Sequence, residues 1–104
     1  MIFDLKQTDT LPRLRASLIT SAGVPVKLTG ATVALILKNT VSNAVVSRAA
    51  TVIDALGGVV EYAWQASDTS ALAVYDAEWR VTWVDGVQTV PGAGVFQVRI
   101  RARL

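Results

Sequence analysis

The sequence predicts an all-β domain, an antiparallel two-sheet sandwich of about 7–9 short strands. Two alternating runs and the turn between them carry most of that expectation. In the run from Tyr75 to Trp83, Tyr75, Ala77, Trp79, Val81 and Trp83 fall on one side and Asp76, Glu78, Arg80 and Thr82 on the other. From Val95 to Leu104, Phe96, Val98, Ile100, Ala102 and Leu104 alternate with Gln97, Arg99, Arg101 and Arg103. Successive side chains of a strand point to opposite faces, so each run describes a sheet with one buried and one wet face. Between them, Asp85-Gly86 is a strong hairpin signal and predicts a type I′ turn with positive φ at both central residues.

The remaining elements follow in chain order. Ile2 to Lys6 is long enough for a first strand or an arm. Pro12 to Thr20 alternates, with Leu14, Ala16 and Leu18 opposed to Arg13, Arg15 and Ser17. Ser21 to Pro25 reads as a turn, because Gly23 and Pro25 supply special backbone angles. Val26 to Leu28 reads as a short strand. Ala31 to Lys38 is apolar on both faces, as expected of a strand covered on both sides. Asn39 to Asn43 is a polar loop. Ala44 to Asp54 reads as two short strands or one bent strand, since Val45, Val46, Thr51, Val52 and Ile53 are stiff in a helix. Leu56-Gly57-Gly58 marks a hairpin turn, after which Val60, Tyr62 and Trp64 line an inner face. Ser67 to Ala71 has room for one helical turn capped by Ser67 or Asp68. Pro91 to Gly94 reads as a loop or bulge.

A chain of 104 residues is expected to form one domain, residues 1–104, near the size of an immunoglobulin-type sandwich. At 52% hydrophobic and 17% charged it is apolar for a soluble domain, which hints at a covered surface in an oligomer or against a partner. It holds no cysteine and no histidine, so disulfides, thiol chemistry, the usual general base and the usual zinc ligand are excluded. No cofactor, metal site or catalytic set is expected. The start, Met-Ile-Phe-Asp-Leu-Lys, lacks the pattern of a signal peptide, and no apolar stretch approaches the roughly 20 residues of a membrane-spanning helix. A net charge of +2 is too small to argue for nucleic acid.

Arg99, Arg101 and Arg103, with Arg80 beside them, form the candidate partner-contact stripe. It reads either as a docking surface for an acidic partner or as a solvated face that guards a sheet edge. Asp76 and Glu78 share an outer face near Arg80, which suits ion pairs better than the paired acids of a glycosidase. Trp64, Trp79 and Trp83 read as core, with a sugar-stacking platform as the alternative.

Several phrases, taken in order, resemble one family. Gly23-Val-Pro-Val-Lys-Leu-Thr-Gly-Ala-Thr-Val33 is similar to the phrase G-x-P-V-D-L-T-G-A-T-V of immunoglobulin-like domains in tailed-phage virion proteins, such as the N-terminal domain of the baseplate upper protein. Lys6 to Pro12 matches K-x-G-D-T-x-P, with Gln7 and Thr8 where a glycine would be more usual. Gly58-Val-Val-Glu-Tyr-Ala-Trp64 matches G-x-V-x-Y-x-W, Asp68-Thr69 matches D-T, and Tyr75-Asp-Ala-Glu-Trp79 matches Y-x-A-E-W. The resemblance implies an immunoglobulin-like sandwich and a non-enzymatic structural role in the virion, made in the host cytoplasm and docked to other virion proteins. A tail, baseplate or fibre-adaptor position is implied first, capsid decoration second, with a carbohydrate-binding module as the further alternative. It also implies a homo-oligomer or symmetric multi-copy assembly. The family's domain usually fronts a longer protein, whereas this sequence stops at Leu104, so the receptor-facing role is not carried over.

Overall fold

Eight strands and one 3-10 turn account for the regular structure in a computed structural model that describes residues 2–20, 22–91 and 95–103. The strands are β1 (Ile2–Lys6), β2 (Leu14–Ser17), β3 (Thr32–Asn39), β4 (Val45–Asp54), β5 (Val59–Tyr62), β6 (Ala73–Trp83), β7 (Gly86–Val90) and β8 (Phe96–Arg101). They form a path β1-β8-β6-β3-β4-β5-β2, with β7 also paired to β6. Much of Pro91–Gly94 and Leu104, both read from the sequence, lie outside the described residues.

β4 belongs to two sheets, which is how the sandwich is joined. Its first part, Val45 to Ala50, pairs with β3, and its second part, Thr51 to Asp54, pairs with β5. A register shift between Val52 and Asp54 marks a bulge in the second part. The larger sheet holds β1, β8, β6, β7, β3 and the start of β4; the smaller holds β2, β5 and the end of β4.

The core lies between them. Leu14, Leu18, Val26, Leu28, Val60 and Tyr62 meet Leu5, Val33, Leu35, Leu37, Ala77, Trp79, Val81, Phe96, Val98 and Ile100. Trp79 stacks near Phe96 with ring centres 6.2 Å apart, and Trp64 packs between Tyr62 and Phe3. These are the inward positions of the alternating runs, so the period of two in the sequence translates directly into burial.

Four expectations need correction. First, the sheets are not purely antiparallel, because β1 runs parallel to β8. Second, Val26–Leu28 is no strand. Its backbone is held by separate bonds, Val26 N–H donating to the Leu18 carbonyl and Leu28 N–H to the Ala55 carbonyl, each at 2.9 Å. Third, the β6–β7 hairpin closes at Trp83 and Gly86, so its loop is Val84-Asp85. Positive φ is confined to Thr8, Gly23, Gly30, Asn43 and Gly58 among the described residues, which rules out a type I′ turn there. Fourth, the 3-10 turn Ala66–Thr69 is preceded by Gln65 as its N-cap, whose N–H donates to the Asp68 carboxylate; neither Ser67 nor Asp68 is the cap residue.

Thr8 holds φ +65, a left-handed conformation that a β-branched residue resists. Its N–H donates to the Thr69 carbonyl at 2.9 Å, which fixes the bend after β1. Thr8→Gly should therefore stabilise the fold by about 0.5–1 kcal/mol, the relief of left-handed strain exceeding the added freedom of the unfolded chain. Thermal unfolding of the pair checks this, with a Tm for Thr8→Gly at or below that of the parent as the contrary result.

Candidate functional site: the arginine face of β1 and β8

The parallel pairing of β1 with β8 sets Asp4 directly beside Arg99 and Lys6 beside Arg101. All four side chains stand on the outer face, since Leu5, Val98 and Ile100 between them are buried. Arg99 grips Asp4 with both prongs of its guanidinium, Nε to Oδ1 at 2.9 Å and Nη2 to Oδ2 at 3.3 Å. Arg101 leans to the same carboxylate, Nε to Oδ1 at 3.3 Å, away from the like charge of Lys6 opposite it. Arg103 continues the row and donates to Asp9 Oδ1 at 2.7 Å.

The hydrogen bond from Arg99 holds the Asp4 carboxyl below its ordinary value, with Arg101 adding to the effect. The hydrogen bond from Arg103 does the same for Asp9. Among the described residues Arg99 and Arg101 share Asp4 and Arg103 pairs with Asp9, so three guanidinium groups meet two carboxylates and are held in place. Held arginines lose less side-chain freedom on meeting a partner carboxylate than free ones do.

Arg80 is not part of this cluster. It is on the outer face of β6, six positions beyond Val74, the residue across from Arg99, a separation of about 20 Å along the strand. There it flanks Ala34 of β3 and Thr89 of β7 and approaches Glu78 at 3.6 Å. With Thr32, Ile36, Ser47, Ala49 and Thr82 it lines a shallow, largely uncharged groove of about 360 Å³. Glu78 thus pairs along its own strand, and Asp76 lies across from Lys38 and Gln97.

Two further charge clusters tie the fold together. Arg13 and Arg15 both bond Glu61 across β2 and β5, at 3.2 and 2.7 Å. Asp68 is the hub of the other. One oxygen accepts from Arg48 Nε at 3.0 Å, and the second from the Tyr62 hydroxyl at 2.5 Å and the Gln65 N–H at 2.9 Å. Burial raises the Asp68 carboxyl and these three donors lower it, with the net effect below its ordinary value. Burial pushes the Tyr62 hydroxyl up, and its bond to Asp68 adds to that.

Trp64 and Trp79 are 3% and 2% exposed, and Trp83 is half-buried against the core, so the indoles do not form a sugar platform. Among the described residues no three His, Cys, Asp or Glu side chains converge as a metal site would require. No helix among them is long and apolar enough to cross a membrane.

No family model matches the chain. No curated protein matches it either. Among solved structures, the N-terminal domain of phage TP901-1 ORF48 shares the fold over 100% of this chain and 86% of its own, with a TM-score of 0.66 at 14% identity. At that identity the likeness is one of fold.

Proposed function

We propose that this chain is a non-enzymatic structural domain of a tailed-phage virion, built as a single domain that docks to other virion proteins through the arginine face of β1 and β8. What supports the reading most is the whole-chain fold likeness to a phage protein domain, met independently by the ordered sequence phrases. The arginine face supplies a contact surface of suitable chemistry, a row of held guanidinium groups that fits a partner carrying exposed carboxylates. A position on the tail, baseplate or a fibre adaptor is favoured over the head surface, following the family that the phrases resemble.

Changing Arg99, Arg101 and Arg103 together to alanine should leave the fold intact and weaken attachment to particles at least about tenfold, as expected when several exposed interfacial charges are lost. The effect should grow as ionic strength falls. Incorporation equal to that of the parent protein would sink the assignment of this face. Imaging particles with gold-tagged antibody to the protein tests the wider reading. Label on the tail or its tip supports it, label over the head moves the protein to decoration, and absence of label from an accessible epitope removes it from the virion.

A further inference from the structure

The outer edge of β7 points to a second copy of this chain as its occupant. Every open edge of a sheet offers unpaired backbone N–H and C=O groups, and proteins usually guard them. β2 is short and bears Arg15, flanked by Arg13; β1 bears Asp4 and Lys6; the open part of β4 bears Arg48 and bulges further on. β7 has no such guard. Gly86-Val-Gln-Thr-Val90 is uncharged, Val87 is 61% exposed, and Val84 in the adjoining loop is fully exposed.

The two-residue loop fixes which groups are free. Trp83 and Gly86 flank it and must bond to each other, so the pairs alternate from there along β6. Gly86, Gln88 and Val90 bond inward to β6, leaving the N–H and C=O of Val87 and Thr89 on the open edge. No hydrogen bond among the described residues uses them.

We infer that two copies pair antiparallel along β7 about a twofold axis at Gln88, resting on the reading of a multi-copy assembly given above. That register sets Val87 against Thr89 of the other copy, and Thr89 against Val87. Both are hydrogen-bonding positions, so four main-chain bonds form and none of the free groups is left over. Val87 and Thr89 lie on the outer face with Thr82 and Arg80, giving matched β-branched cross-strand pairs and no like charges opposed. The contact is short, well below the area of a stable standard interface, so it is transient between free copies and is reinforced where copies gather.

The chain has no native cysteine, which allows a direct test. Gln88→Cys places two thiols on the axis, in a pair whose Cα atoms would be about 4.5 Å apart, within disulfide range. Under mild oxidation it should form a disulfide-linked dimer at least about tenfold faster than Val41→Cys, whose site at the tip of the β3–β4 hairpin is 89% exposed. Adding Val87→Lys and Thr89→Lys, which would oppose like charges across the axis, should abolish the difference. Equal rates for the two cysteine variants overturn the inference. Equal rates together with loss of particle attachment in the lysine variant would assign the edge to another virion protein instead. The arginine-to-alanine variant, oxidised in the Gln88→Cys background, separates this from the docking face: its crosslinking should persist even where attachment fails.

Discussion

Replacing Gly58 with alanine is expected to cost about 3–4 kcal/mol, a large part of the stability of a domain this size. Gly58 has φ +70, and a Cβ there would lie 2.6 Å from the Leu18 carbonyl oxygen and 2.9 Å from that of Val26. Both obstacles are backbone, and both belong to a local braid: Leu18 N–H donates to the Gly58 carbonyl at 2.7 Å and Val26 N–H donates to the Leu18 carbonyl at 2.9 Å. No rotamer change relieves the crowding, so the end of β2, the Val26 segment and the start of β5 must separate. Gly23 is the natural control. It also has positive φ, +80, but meets no heavy atom within 4 Å, so Gly23→Ala should cost only the left-handed strain, about 1–2 kcal/mol. Urea titration of both variants at unchanged m separates the effects; equal losses would mean that crowding at Gly58 contributes nothing.

Asp68→Ala should cost about 2–4 kcal/mol, because it strands a guanidinium, a buried hydroxyl and a backbone N–H at once. Arg48 and Tyr62 come from different strands, so the loss loosens β4 against β5 and frees the Ala66–Thr69 turn. The acid response carries the same information. Asp68, like Asp4, Asp9 and Glu61, has its carboxyl lowered in the folded state. A lowered folded-state value means that the stabilisation is fully present above the unfolded value and is lost as pH falls through the folded one. For Asp68 the ordinary value is 3.8, so the parent should lose stability as pH drops below about 4, while Asp68→Asn starts less stable and falls less steeply. Identical acid profiles would show that the carboxylate is not a source of pH-dependent stability.

Most of the strands were readable because alternation is local. β6 and β8 place Trp79, Val81, Val98 and Ile100 inward just as their period of two requires, and Thr8 takes the positive φ that the resembling phrase assigns to a glycine. What failed was non-local. Nothing in Ile2 to Lys6 says that it will run parallel to the last strand, so Asp4 went unseen as the carboxylate that two arginines share. From the sequence Arg80 is expected beside Arg99, but strand register is not written in either run, and the β6–β8 pairing places Val74 there instead. Arg48 was hidden because β4 changes sheets, which blurs its alternation, although Val46, Arg48, Ala50 and Val52 do share one face in the β3 and β5 pairings. The Asp85-Gly86 pair located a hairpin correctly and misassigned its loop by one residue, because a short turn can close without any left-handed residue.

The parallel pairing of β1 with β8 also decides how the domain carries a load. Their matched ends, Ile2 beside Gln97 and Lys6 beside Arg101, mean that β1 begins at one end of the pair and β8 finishes at the other. A tension applied between those two ends runs along the strands and across their hydrogen bonds. The rungs from Ile2 to Lys6 then resist together in shear, where an antiparallel pair pulled from one end would unzip rung by rung. With Arg99 and Arg101 clasping Asp4 across the same seam, the strands that bear the arginine face are also those set to transmit force along it.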